Sequence, residues 1–280
     1  MLSMNQSRLP VSLHLKSLLT GTRLEGLAMR LRWLLTLPQR VKHPELWDTF
    51  LEEDRLKTIL KKELQPDACG VDVGGHLGSF VVLLKAIAPQ GRHAVIEASP
   101  GKSAWLKRKF PEVEVHGVAV SDKAGTAQFN EDRERPGFSS LVDSSTGADT
   151  YEVTTSRLDD LLTSMPRIDI IKLDIEGHEL PALRGAAETI KAHRPILIFE
   201  CGSEYHFNAA GQDRHGIFDF LTQTFGYKVF TFVDFLYCKG ELTRDEFRKC
   251  GSYPFRAFNF IAMPPETQTA EPPARPAAAP

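Results

Sequence analysis

Short apolar runs alternate with amphipathic stretches along most of this chain. The runs Cys69–Val73, His93–Glu97, Val113–Val120, Ile168–Asp174, Ile196–Glu200, Tyr227–Phe232 and Arg256–Met263 read as strands. Between them, the spacing of apolar positions predicts helices over Ser79–Ala88, Pro100–Phe110, Glu179–Ala192 and Ile217–Phe225. Ser99-Pro100 supplies an N-cap and a proline at the first helical position, and Thr243 with Glu246 forms a capping box for a short helix to Cys250. Residues 121–150 break the rhythm. A turn and short strand in SDKAGTAQF lead into a polar, turn-rich loop, and loops of that length are often functional. Tyr151–Thr155 resumes as a strand, and Ser156 is expected to cap a short helix through Leu162.

Strands alternating with helices argue for an α/β fold: a doubly wound, mostly parallel sheet spanning residues 65–263. Residues 1–64 read as a helical N-terminal extension. Leu24, Leu27, Ala28, Leu31, Leu34 and Leu35 form one stripe in a helix over 12–37, with Arg23, Arg30 and Arg32 off it. Pro44 opens a second helix, Glu45–Leu64, which Pro66 ends. The tail, 264–280, is rich in Pro and Ala, lacks large apolar residues, and is expected to be disordered.

Composition is ordinary for a globular protein, with 42% hydrophobic and 25% charged residues in 280. The net charge of −2 argues against bulk nucleic-acid binding but hides an asymmetry. Positions 1–44 carry Arg8, Lys16, Arg23, Arg30, Arg32, Arg40 and Lys42 against a single acid, Glu25. A basic amphipathic helix can lie on an anionic membrane or meet a protein partner, although packing on its own domain is the plainer expectation. Cys69, Cys201, Cys238 and Cys250 share no metal-ligand spacing, and Cys69 and Cys201 sit in apolar runs, as reduced core thiols do. With neither a membrane-length apolar run nor a secretory pattern, the sequence reads as cytoplasmic.

The chemistry gathers first at VDVGGHLGSF, residues 71–80, a strand running through a glycine-rich turn into a helix. A dinucleotide fingerprint needs glycines where His76 and Ser79 stand, which disfavours the alternative of an NAD(P)-dependent oxidoreductase. What fits is an acid followed by spaced glycines (Asp72, Gly74, Gly75, Gly78), with a second acid, Glu97, ending the next strand. Asp72 suits an ammonium or sulfonium group, backbone N–H groups at the helix start suit a carboxylate, and Glu97 suits both ribose hydroxyls. S-adenosylmethionine has all these parts.

A second cluster, IDIIKLDIEGHELPALRGA, completes a pattern that resembles the FkbM-type family of class I S-adenosylmethionine-dependent methyltransferases. The matching segments are Asp72-Val-Gly74-Gly75-His76-Leu-Gly78, Glu97-Ala-Ser-Pro100, Ala119-Val-Ser121-Asp122-Lys-Ala-Gly125, Lys172-Leu-Asp174-Ile-Glu176-Gly177-His178-Glu179 and Leu183-Arg-Gly185-Ala186. His76 stands where the family usually has Asn. The resemblance implies a Rossmann-like fold, S-adenosylmethionine as cofactor, and O-methylation of a small-molecule or sugar-containing acceptor. Asp72, Gly74, Gly75, His76, Gly78, Glu97 and Asp122 are then the expected cofactor contacts, Asp122 at the adenine end.

Methyl transfer to a hydroxyl needs alignment and a proton acceptor. Asp174, Glu176, His178 and Glu200 are the catalytic candidates, with Asp174 the first expectation for the base. The carboxylates could instead gather a hard cation such as Mg2+, although no spacing is diagnostic. Phe138–Leu141 is a candidate lid, and Tyr205-His206-Phe207 a candidate aromatic wall for the acceptor. A non-catalytic, partner-binding protein that retains the fold is the remaining alternative.

Overall fold

The period-2 alternation of side chains in the strands decides where everything else sits. In the computed structural model, which describes residues 20–22, 24, 26, 31, 33–131, 141, 149–202 and 214–265, seven strands form one sheet in the order β3-β2-β1-β7-β8-β10-β9. They are β1 (Gly70–Val73), β2 (His93–Ile96), β3 (Glu114–His116), β7 (Ile170–Leu173), β8 (Ile196–Glu200), β9 (Lys228–Thr231) and β10 (Asn259–Met263). β10 runs antiparallel to both neighbours, and the remaining pairs are parallel. Three further strands, β4 (Ala119–Val120), β5 (Gly125–Glu131) and β6 (Asp149–Ser156), make a separate small sheet in the order β4-β6-β5.

One face of the main sheet presents Ile170, Ile198 and Ile261 to Phe80 and Leu84 of helix Ser79–Ile87 and to Leu56, Ile59 and Leu60 of helix Glu52–Glu63. The other presents Val71, Val73, Ile171, Leu173, Leu197, Phe199 and Phe260 to helices Glu179–Arg184, Ala187–His193, Arg214–Asp219 and Arg244–Cys250. Helices on both faces explain why the central strands read as unbroken apolar runs. The chain leaves β1 toward β2 and β3, then returns to build β7 and β8 on the other side. That reversal beside β1 is where doubly wound sheets open a crevice.

Several predicted elements are subdivided. Val113–Val120 is two strands, because the chain leaves the main sheet at Gly117 and β4 pairs with β6. Glu179–Ala192 is two helices. At Gly185 an added Cβ would stand 2.0 Å from the Ser121 carbonyl oxygen, and the Asp159 carboxylate caps the second helix by accepting from Thr189 N (2.8 Å) and Glu188 N (3.3 Å). Ile217–Phe225 ends in a π-turn over Phe220–Thr224. Glu45–Leu64 breaks at Leu51, where Arg55 reaches back to the Asp48 carbonyl and carboxylate. Ser156 does not cap the helix Leu158–Leu161, whose N-cap position is Arg157. The Ser99 cap and the Thr243–Glu246 capping box form as read. All four cysteines are free; Cys69, Cys201 and Cys250 are buried and Cys238 is exposed. Phe138–Ser140, Tyr205–Phe207, most of the 12–37 segment and most of the tail lie outside the described residues. No described helix is long and apolar enough to cross a membrane.

The N-terminal helix is tied to the sheet through one buried acid. Glu52 accepts from Phe258 N (2.8 Å), Asn259 N (3.2 Å) and Asn259 Nδ2 (2.8 Å), locking helix Glu52–Glu63 to the start of β10. Replacing Glu52 by Ala strands two backbone donors away from water, and urea denaturation should show a loss of about 1–3 kcal/mol. A change within a few tenths of a kcal/mol would mean water replaces the carboxylate at no cost.

Candidate active site

The carboxyl ends of β1, β2 and β7 enclose one cleft of ≈ 550 Å³, counting the part open to solvent. Gly74, His76, Glu97, Lys102, Asp174, Glu176 and His178 line its polar side, and Ile96, Val118, Val120, Phe129, Leu141 and Ile175 its apolar side. This combination of an apolar wall with a few convergent polar groups is usual for a small-molecule site.

The glycine loop is built by backbone constraint. Gly74 sits at φ +84°, and a Cβ there would lie 1.9 Å from the Asp174 carbonyl oxygen, so β1 and β7 approach this closely only with glycine. His76 also has a left-handed backbone, at φ 48°. Asn, Asp and His adopt that region more readily than other side chains, which accounts physically for His at the position where the resembling family has Asn. Its backbone N–H donates to Glu97 Oε2 at 2.7 Å. Gly78, at φ +77°, occupies the N-cap of helix Ser79–Ile87.

Glu97 is buried, and the Ser99 N–H donates to its other oxygen at 2.8 Å. Two backbone donors thus fix the carboxylate's orientation, while each oxygen keeps a lone pair for a ligand hydroxyl. Burial pushes its pKa up, opposed by the nearby Lys102 ammonium. Lys102, which sequence reasoning did not single out, is itself buried and lies 3.5 Å from Glu131, whose carboxylate accepts from Ser99 Oγ and Tyr151 OH. Its only sequence signal is its place in the first turn after Ser99-Pro100.

Asp72 lies beneath the loop, 1% exposed, with Oδ1 buried and unpartnered; burial raises it to about 6. β1–β7 register sets Asp72 opposite Lys172. Lys172 Nζ donates to Asp174 Oδ2 at 2.7 Å and lies over the Phe80 ring. Burial works against this ammonium, but Asp174 and Asp72 more than compensate and hold its pKa high.

Asp174, Glu176 and Glu200 come together: their ligand-type oxygens all lie within 4.8 Å of one another, a geometry that could also receive a divalent cation. Burial pushes Asp174 up, but Lys172 and a hydrogen bond from Glu200 prevail and hold it at about 2. Glu176 is pushed to about 8, by burial and then by Asp174 and Glu179. Its backbone is left-handed, at φ 55°, which turns the chain between β7 and the next helix. Glu200 is driven well above the carboxylate range by burial and by Asp174. Glu179 underpins the turn, with Oε1 accepting from Ile175 N and Gly177 N. His178 Nε2 lies 3.1 Å from Ser121 Oγ, and burial lowers its pKa, favouring the neutral ring.

Asp122 departs from expectation. It is exposed and outside the cleft lining, because β4 has left the main sheet and Ser121 N donates to the Ser156 carbonyl. Val118, Ala119 and Val120 occupy the cleft wall instead. Gly75 and Gly78 lie behind the lining and shape the loop without facing the cavity.

The residues fit S-adenosylmethionine on two counts: an oriented acid for ribose hydroxyls in Glu97 and an unpartnered buried acid in Asp72. Comparison with sequence families agrees. The sequence model of the Methyltransferase FkbM domain matches residues 72–229, more than half of the chain. No curated protein matches. Among solved structures, a methyltransferase FkbM from Methylobacillus flagellatus KT is 18% identical, with 72% of this chain and 45% of that one covered and a TM-score of 0.45. The precorrin-6y C5,15-methyltransferase from Geobacter metallireducens GS-15 is 11% identical, with 62% and 72% covered and a TM-score of 0.38. The sugar N-methyltransferase KedS8 from a Streptoalloteichus species is 14% identical, with 55% and 49% covered and a TM-score of 0.32. The chain thus spans less than half the length of the Methylobacillus protein. On the match of its domain, with the glycine loop and acid cluster in place, this chain belongs to the FkbM methyltransferase family.

Proposed function

We propose that this protein is an S-adenosylmethionine-dependent methyltransferase acting on a hydroxyl of a small or sugar-containing acceptor, with Glu176 as general base. One observation carries the reading. A single cleft holds the oriented Glu97 carboxylate and, lining the same cavity, a carboxyl group raised to about 8. Bound S-adenosylmethionine supplies an electrophilic methyl carbon on a sulfonium.

The chain's residues supply the rest. Glu97 accepts the ribose hydroxyls, and the Asp72 charge beneath the loop favours the cationic end. Phe129, Leu141 and Ile175 keep water from the apolar part of the cleft. Glu176, as the carboxylate, would take the proton that the acceptor hydroxyl gives up on methylation, the methyl's bond to sulfur breaking to leave a neutral thioether. Asp174 is a poor base, because Lys172 and Glu200 hold it near 2. Its charge acts through Glu176, which it helps to raise toward the pH at which a base accepts protons most usefully. Asp174 is therefore assigned a positioning role, which revises the expectation drawn from the sequence. O-methylation rests on this need for a base and on the resemblance.

Four measurements follow. Glu97→Ala should weaken S-adenosylhomocysteine binding in calorimetry by roughly tenfold to a hundredfold, the worth of one or two hydrogen bonds to a charged group; unchanged affinity would remove Glu97 from the site. Glu176→Gln should keep that affinity while lowering turnover about 10²–10⁴-fold, the usual contribution of a general base. In the native protein kcat/KM should rise as pH increases through about 8, since the base works deprotonated, and Asp174→Asn should move that midpoint down. A midpoint that stays put in Asp174→Asn would place the base elsewhere. The same raised pKa predicts stability that is full at acidic pH and falls as pH rises through about 8, a slope that Glu176→Gln flattens in thermal melts.

A further inference from the structure

The described leucines of the apolar stripe near the N-terminus, Leu24, Leu31, Leu34 and Leu35, stand exposed. Most of the large apolar side chains that stand exposed among the described residues fall between positions 24 and 47. Leu24 is 59% exposed, Leu31 57%, Leu34 55%, Leu35 72% and Val41 77%, with Trp33 and Trp47 also open to solvent. Burial of such side chains is what normally holds a surface helix to its body. Contacts tie parts of this stretch to one another and to the body. The Arg40 guanidinium lies 5.0–5.6 Å from the Phe50 and Trp33 ring centroids, and Tyr253, another exposed aromatic, hydrogen-bonds Glu45 beside Trp47.

Charge selects the occupant. Of the chain's 34 Lys/Arg and 36 Asp/Glu, seven cations and one acid fall in the first 44 positions, so the rest of the chain is net acidic. We propose that this apolar, basic N-terminal region seats the protein on an anionic lipid bilayer surface. Leucines enter the boundary between headgroups and acyl chains, tryptophans lie at its polar edge, and the arginines and lysines meet lipid phosphates. The acidic body faces away, repelled by the same surface. A two-fold dimer through this patch would instead oppose two basic segments, which disfavours a second copy as the occupant. The inference is independent of the methyl-transfer reading, because it concerns residues outside the cleft.

The test is vesicle flotation of the full chain with phosphatidylcholine alone and with phosphatidylglycerol added, alongside light-scattering mass measurement. The expected result is flotation with the anionic vesicles only, reversal at high salt, and loss in the double variant Leu34→Glu/Leu35→Glu. Circular dichroism and the melting midpoint establish that the variant stays folded. Lys42→Gln, an exposed single-charge change, should weaken binding roughly fivefold. Absence of flotation with anionic vesicles overturns the proposal. So does equal binding to neutral vesicles, or a solution dimer that Leu34→Glu/Leu35→Glu converts to monomer.

Discussion

One partly buried ammonium, Lys172, holds the acids of this site together. Lys172 is the cation among the carboxylates of Asp72, Asp174 and Glu200, and the Glu176 and Glu179 carboxylates crowd in from the following turn. Lys172, with weaker help from Lys102 at Glu176, cannot neutralise five acids. The cluster therefore resolves by division: Asp174, in direct contact with Lys172, stays ionised, while Glu176 and Glu200 are pushed toward their protonated forms. Like charges that cannot all ionise are driven apart in pKa, and such separation assigns acid and base roles in active sites.

The fold produces this arrangement through strand register. Asp72 pairs with Lys172, and Lys172 pairs with Ile198, so Asp72, Lys172, Asp174 and Glu200 follow one another on the face that also carries Ile170 and Ile198. Alternation along a strand brings every second residue to the same side. Beneath them the face is apolar and packed by helices Glu52–Glu63 and Ser79–Ile87; only at the carboxyl ends does it turn polar, where the sheet opens. Gly74 permits the close passage of β7 past the loop, and the His76 N–H and Ser99 N–H orient Glu97 across the same opening.

Much of this was legible in the sequence, and the parts that were not have physical reasons. The apolar runs located seven main-sheet strands to within a few residues, because burial on both faces leaves no competing pattern. Gly74, His76, Glu97, Asp174 and Glu176 line one cleft, and Asp72 lies beneath its glycine loop. Asp122 does not line it, because the break at Gly117 that sends β4 into the second sheet is set by pairing with β6, a partner distant in sequence. Lys102 gave little local sign beyond its place after Ser99-Pro100, since its importance comes from Glu97 and Glu131, which tertiary structure alone brings near. The subdivision of helix Glu179–Ala192 likewise depends on the Ser121 carbonyl and the Asp159 carboxylate, both from elsewhere in the chain. The choice of base changed for the same reason: sequence spacing shows which acids end strands, and pairing with Lys172 shows which of them can still accept a proton.

Direct titration of the Glu176 carboxyl carbon by NMR tests the central claim most closely, with Glu176→Gln used to assign the resonance. A midpoint near 8, falling when Asp174 is replaced by Asn, is the result that the charge cluster requires. A midpoint in the ordinary carboxylate range, unmoved by Asp174→Asn, would contradict the account and leave the cleft without its proton acceptor.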